Sequence, residues 1–361
     1  MPLEKFDNLE LPATADFHVH LRDGEMMSLV TPTIRAGGVN TVYVMPNLVP
    51  PITSVEACLD YKKRLQEIEP NVEFLMSLYL HPDVTPTTII EAKKAGIIGV
   101  KSYPAGVTTN SASGVVDYES FYPVFAEMER QDMILNIHGE SPATKDSDIT
   151  VLNAEEQFLP TLKSLHQKFP KLRIILEHCT TAKAVEVVKE CGDTVAATIT
   201  AHHLFLTIDN VVADPFCFCK PVAKTPADRN ELLRTVVSGH PRIFLGTDSA
   251  PHSVVAKRGG DKGLDKAAAG VFTQPYATQT VLDALEEGIQ QNVIREEDVT
   301  VDKLKGFLSG FGRAFYRASD TKGEKIVLKR KADVVVDSLK SGSLEVIPFR
   351  RGQKTWKVEW R

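Results

Sequence analysis

The chain has 361 residues, 43% of them hydrophobic and 25% charged, enough to bury a large core as one big α/β barrel or as two domains. A formal net charge of -5 and a pI of about 6.1 give no mark of a nucleic-acid or anionic-membrane binder, and no apolar run approaches the roughly 18 residues of a membrane helix. The opening "MPLEKFDNLELP" lacks the apolar core of a signal peptide, and Cys58, Cys179, Cys191, Cys217 and Cys219 fit no disulfide framework, so a cytoplasmic protein with reduced thiols is expected.

Apolar, β-rich runs of strand length recur along the chain. In order they are 15–20 ("ADFHVH"), 41–47 ("TVYVMPN"), 73–80 ("EFLMSLYL"), 97–103 ("IIGVKSY"), 133–139 ("MILNIHG"), 172–179 ("LRIILEHC"), 194–203 ("TVAATITAHH") and 242–249 ("RIFLGTDS"). Most are nearly continuous apolar runs, as expected of strands covered on both faces of a parallel sheet. Helical patterns separate them at 25–36, 54–68, 86–95, 117–131, 155–167, 181–191 and 226–237, and another follows at 275–289; "PTL" at 160–162 is expected to interrupt the fifth of these. Eight βα units predict an α/β fold, a (β/α)8 barrel over residues 1–320. A doubly wound sheet is disfavoured because no Gly-rich phosphate loop follows the first strand. The segment 321–361 changes character: it is strand-like and carries 11 Lys+Arg against 5 Asp+Glu, +6 there and -11 for the remainder. It reads as a short C-terminal extension packed on the barrel with a solvated basic face.

The polar residues fall where a barrel has its open end, at the C-terminal ends of strands. The first run ends in His18 and His20, the fourth reaches Lys101, the fifth His138, the sixth Glu177 and His178, the seventh His202 and His203, and the eighth Asp248. A strand puts residues i and i+2 on one face, so His18 and His20 are expected to point the same way. One such histidine is unremarkable, but several strands ending in imidazole, amine or carboxylate are not, since buried ionisable groups are costly unless paired or metal-bound. Imidazoles with a carboxylate suit zinc. Lys101 is the odd member: burial beside cations favours its neutral amine, which can add carbon dioxide to form an anionic carbamate. With only one metal it would instead pair with Glu177 or Asp248. Cys217 and Cys219 have no second Cys/His pair of zinc-finger spacing nearby and are left out of the metal set.

Taken in order, "DFHVHLRDG", "MPNLVPP", "GVKSYPAGVTTNS", "NIHGE", "ILEHCTT", "TAHHLFLT" and "GTDSAPH" resemble the dihydroorotases of the amidohydrolase superfamily, in the single-function type shared by enterobacteria and fungi. The resemblance spans 16–252 and implies reversible cyclisation of N-carbamoyl-L-aspartate to L-dihydroorotate in pyrimidine biosynthesis, in a homodimer with a small-molecule substrate and neither nucleic-acid nor membrane partners. It implies two zinc ions with a bridging hydroxide. His18, His20 and Asp248 would hold one metal, His138 and His178 the other, and Lys101, as N6-carboxylysine, would bridge them. Asp248 would also be the catalytic proton carrier. Arg22, Asn47 and His252 match groups that hold the substrate carboxylate, Ala269 a backbone contact to substrate, and Thr108 and Thr109 the tip of a closing lid loop. The segment 253–268, "SVVAKRGGDKGLDKAA", departs from the family pattern.

Two alternatives stay open on sequence. A dihydropyrimidinase or hydantoinase shares the two-metal core without needing the Arg22, Asn47 and His252 clamp. A non-catalytic scaffold of the same fold would be expected to lack metal ligands. Glu177 and Glu140 are candidates for orienting an imidazole, and His202 or His203 for a place at the edge of the site. His81, His166 and His240 lie in polar settings and carry no case for function.

Overall fold

The computed structural model describes residues 2–320 and 323–361; the expected boundary at 320/321 adjoins residues 321–322, which lie outside the described residues. The strands are β1 (Glu10–Pro12), β2 (Thr14–Val19), β3 (Val39–Val44), β4 (Glu73–Tyr79), β5 (Gly99–Ser102), β6 (Ile134–Ile137), β7 (Arg173–Leu176), β8 (Val195–Ile199), β9 (Ile243–Leu245), β10 (Lys325–Val334), β11 (Leu339–Ser341), β12 (Leu344–Val346) and β13 (Lys354–Trp360). β2 to β9 form one parallel sheet in chain order, and an isolated bridge between Val19 and Ser249 brings its two edges together. This is the (β/α)8 barrel. Crossover helices begin on hydroxyl caps: Ser54, Thr85, Thr181 and Thr225 accept the N–H of Ala57, Thr88, Ala184 and Asp228, satisfying donors that a helix start leaves open.

The strands are shorter than their apolar runs, so most of the polar residues lie just beyond the sheet. His202 and His203 begin a 3-10 turn, His202–Leu204, rather than ending a strand, because the Thr200 hydroxyl accepts the His203 N–H at 2.9 Å and turns the chain. The first expected helix stops at Val30 and gives way to two 3-10 turns around Pro32. Conversely, Ala154–Lys168 runs through Pro160 as one helix.

The lower lumen is filled by Ala15, Phe17, Tyr43, Leu75, Ile134, Ile175, Ala196 and Phe244, drawn from seven strands, together with Tyr316. Tyr316 belongs to a helix, Phe311–Tyr316, that the sequence pattern did not reveal. Phe17 stacks on it at 4.5 Å and meets Phe244 edge-on at 5.4 Å. The helix can come this close because residue 312 is glycine; a Cβ there would sit 2.2 Å from the Phe17 ring.

The extension is strand-rich as expected: β10 pairs with β1 on one side and β13 on the other. Its basic face is not wholly solvated, however. Lys331 pairs with Asp283 at 2.5 Å and Glu286 at 2.8 Å, Arg330 with Glu286 at 2.7 Å, and Arg350 with Glu287 at 2.8 Å. The acids lie on the helix Ala277–Gln290, so part of the local +6 meets the opposite charge of the barrel.

Candidate active site

A register irregularity between Asp16 and Val19 interrupts the β2–β3 pairing. Asp16 fills the gap, accepting the N–H groups of His18 and Thr247 at 3.2 and 2.7 Å. Above it His18 and His20 converge on one oxygen: Asp248 Oδ1 lies 3.2 Å from His18 Nε2 and 3.0 Å from His20 Nε2. Only the His20 contact has hydrogen-bond geometry; His18 Nε2 is buried without a hydrogen-bond partner. The far nitrogens are fixed, His18 Nδ1 by Glu177 Oε2 at 2.9 Å and His20 Nδ1 by Asn47 Oδ1 at 2.8 Å. Glu177 is itself anchored by Asn136 at 2.6 Å and the Thr198 hydroxyl at 2.6 Å.

The rings of His138 and His178 sit edge to face at 4.6 Å, and His178 lies 5.2 Å from His18. Glu140 accepts from His138 Nε2 at 2.6 Å, whereas His178 Nδ1 has no hydrogen-bond partner. Lys101 is fully buried, and its Nζ likewise has none. It lies 5.2 Å from the centre of the Tyr103 ring.

Electrostatics follow from that crowding. Burial pulls Lys101 down to about 8, against the opposing charges of Glu177 and Asp248. Burial, His138 and Lys101 together push His178 well below the usual imidazole range. Burial also lowers His18, but Glu177 and Asp248 outweigh it and leave the ring above its ordinary value. For Asp248, burial acts upward and is overcome by His18 and His20, so the carboxyl stays ionised. His18 Nε2 and His178 Nδ1, both buried and without hydrogen-bond partners beside an ionised carboxylate, form a donor set that a divalent cation would satisfy, and the Lys101 amine could join it only after losing its proton. His18, His20 and Asp248 lie close enough together to hold one.

The backbone here is held in an unusual conformation. Arg22, His178 and Asp248 have φ of 60°, 41° and 48°, a left-handed region that costs a residue with a Cβ roughly 1–2 kcal/mol and whose use clusters at functional sites.

Around the cluster lies a narrow cavity bordered by His18, His20, Arg22, Asn47, Asp248 and Ala269, among others. Arg22 donates from Nε to Pro251 O at 3.0 Å, and its Nη2 is 3.0 Å from His252 Nε2. His252 Nε2 also lies 3.0 Å from Ala269 O. Thr108 and Thr109 reach the cavity from the loop after Lys101: Asn47 Nδ2 donates to Thr109 O at 3.1 Å and the Thr109 hydroxyl to Ala269 O at 3.4 Å. All the sequence-predicted positions therefore gather at one end of the barrel.

The sequence reading missed Tyr103, Lys220 and Ala250 in the cavity wall. Tyr103 follows Lys101 by two residues, so strand parity offered a signal; Lys220 carried none. It also left Cys219 out of any cluster, yet Cys219, His202 and His203 have ligand atoms within 4.8 Å of one another. In that group His203 is bonded to the Thr200 hydroxyl at 2.8 Å, and His203 and Cys219 both reach Pro221 O, at 3.1 and 3.4 Å.

A probable dihydroorotase of Schizosaccharomyces pombe is 50% identical over 355 residues, covering 98% of this chain and 99% of that protein. The dihydroorotase of Saccharomyces cerevisiae is 46% identical over 371 residues, covering 98% of each. The chain belongs to the dihydroorotase family. The crystal structure of S. cerevisiae dihydroorotase in complex with 5-fluoroorotic acid superposes with a TM-score of 0.90 at 46% identity, over 98% of both chains. No family model matches the chain. Membership makes this chain a dihydroorotase, a hydrolase of the amidohydrolase superfamily that acts on a cyclic amide, and places it in a family of metalloenzymes. No helix among the described residues is long and apolar enough to cross a membrane.

Proposed function

We propose that the chain interconverts N-carbamoyl-L-aspartate and L-dihydroorotate at the cavity above β2 and β9, with two zinc ions and a carboxylated Lys101. The observation that carries this reading is the meeting of Arg22, Asn47 and Ala269 beside His18, His20 and Asp248 in one cavity, with His252 against Arg22 and the Ala269 carbonyl. His18, His20 and Asp248 would hold one metal, His138 and His178 the second, and the carbamate of Lys101 would join them. Bound there, divalent metal lowers the pKa of water and polarises the scissile amide carbonyl.

The chain's own groups do the rest. The Arg22 guanidinium offers a planar pair of donors to the substrate carboxylate, which a lysine would not match. Asn47 and His252 complete that contact, and the Ala269 carbonyl accepts a substrate N–H. In hydrolysis Asp248 takes the proton of the attacking water and passes it to the leaving nitrogen. In ring closure it takes the ureido proton instead. Thr108 and Thr109, on a loop rich in Gly, Ser, Thr and Asn, close over the substrate and exclude water.

The clamp favours dihydroorotate over the dihydropyrimidinase and hydantoinase substrates, which do not require it. Turnover of dihydroorotate against dihydrouracil tests this. Dihydroorotate should be strongly preferred, and Arg22→Met should raise its KM by about 30-fold or more, as expected when one partner of a desolvated charge pair is removed. Equal turnover of both substrates would overturn the reading. The same reading includes binding of 5-fluoroorotate at this site, a cytoplasmic homodimer, and a division into barrel and extension at 320/321. A single-protomer mass in solution would remove the dimer.

A further inference from the structure

The segment 253–268 departs from the family pattern in sequence, yet Ala269 directly after it stands in the cavity wall. Something must fix the stretch, because it includes three glycines at positive φ, Gly259, Gly260 and Gly263, and few apolar anchors. Backbone bonds such as Asp265 N to Gly259 O and Ala268 N to Ala256 O fix its turns, and a buried amine fixes its end against the cavity wall. Lys257, at the end of the short helix Val254–Lys257, is only 3% exposed. Its Nζ donates to three main-chain carbonyls: Phe218 O at 2.9 Å, Ala268 O at 2.9 Å and Gly270 O at 2.7 Å. Three donors on one ammonium thus meet three main-chain acceptors, and the Phe218 ring lies 5.9 Å from the amine.

The pattern of carbonyls matters more than their number. Those of residues 268 and 270 turn to Lys257, while the one between them, Ala269 O, meets His252 Nε2 and the Thr109 hydroxyl on the cavity side. Gly270 N donates to the same Phe218 O at 2.9 Å, closing a small ring of contacts around the amine. Gly270 has φ of 157°, and a Cβ there would lie 2.4 Å from Ala250 O and 2.8 Å from His252 Cδ2. The chain can therefore pass between Ala250 and His252 only as glycine, and Lys257 adds side-chain contacts on both flanks of that passage to the backbone bonds Gly270 N to Phe218 O and Ala250 N to Val271 O. That lysine arises five residues after His252, so a single turn of helix ties the imidazole and the carbonyl it faces into one unit.

We propose that Lys257 is a positioning residue of the active site, whose ammonium takes the carbonyls of Phe218, Ala268 and Gly270 and so presents the Ala269 carbonyl and His252 to the substrate. This rests on the reading of Ala269 and His252 as substrate contacts. Lys257 touches neither substrate nor metal, and its loss changes how substrate is held rather than the bond-making step.

Lys257→Met keeps the length and apolar stem and removes the donors; Lys257→Arg returns a cation with several donors. Both are measured as purified, metal-loaded protein, with rates normalised to metal content and folding checked by thermal unfolding. For Lys257→Met the KM of dihydroorotate should rise by about 10-fold or more with kcat within about threefold, the signature of lost uniform binding. Inhibition by 5-fluoroorotate should weaken by a similar factor, and Lys257→Arg should recover part of both. A merely structural lysine would lower the unfolding temperature and the active fraction while leaving KM and inhibition alone. That result, or failure of both variants to fold, overturns the role of Lys257. Absence of dihydroorotate turnover in the wild type overturns the functional reading, and this proposal with it.

Discussion

The two ends of the barrel lumen are built from the same eight strands and have opposite character. The lower end is aromatic and apolar: Phe17, Tyr43, Phe244 and Tyr316 interlock, and the buried rings stabilise the fold at about 1.5–3 kcal/mol each. The upper end holds Lys101, His18, His138, His178 and Asp248, nearly as buried, with several nitrogens lacking any hydrogen-bond partner. Such groups cost stability unless a ligand satisfies them. The difference teaches a division of labour: one end holds the protein together and the other is strained toward a bound ion and substrate. A hydrogen-bond relay joins them, running from Tyr316 through Asn136 and Glu177 to His18.

Substitutions at the two ends should therefore separate activity from stability. The largest effect is expected at the top, where Asp248→Asn should lower turnover by about 10²–10⁴-fold, the usual worth of a general acid–base group, while the protein remains folded by circular dichroism. At the bottom, Phe17→Ala should cost about 3–5 kcal/mol of unfolding free energy in urea titration, with KM unchanged in the protein that stays folded. An Asp248→Asn protein of full activity, or a Phe17→Ala protein of full stability, would break the contrast.

The barrel was largely legible because each apolar run had strand length and each gap helical period. The catalytic end was legible because metal-type residues close successive runs. The lower plug was not. Its helix Phe311–Tyr316 follows a π-helical turn, Gly306–Gly310, whose apolar spacing departs from the 3.6-residue period. Register was hidden as well: the irregularity between Asp16 and Val19 depends on Thr247, far away in sequence. Nor did composition reveal that Arg330, Lys331 and Arg350 face acids on Ala277–Gln290, since charge counts carry no geometry.

Two smaller effects sharpen the comparison. Asp16 sits between the ends, and burial pushes its carboxyl up to about 7 despite the hydrogen bonds from Thr247 and His18. Between about pH 4 and 7 the fold keeps a proton that the unfolded chain has released, so this group's contribution to stability falls as pH rises through that window. Asp16→Asn should flatten the slope of the urea midpoint between about pH 4 and 7; an unchanged slope would remove Asp16 as its source. The smallest effect is expected at the lid. Thr109→Ala should lower turnover by about 3–10-fold, the scale of one hydrogen bond, with metal content unchanged; normal turnover would take the threonine out of the mechanism.

The most direct test of the upper end as a metal site organised by Lys101 is metal content and dihydroorotate turnover measured on the same samples of wild-type and Lys101→Ala protein. The wild type should carry two zinc ions per chain and turn over dihydroorotate, and the variant should lose both metal and activity. A Lys101→Ala protein that keeps its full metal complement and wild-type turnover would contradict the account.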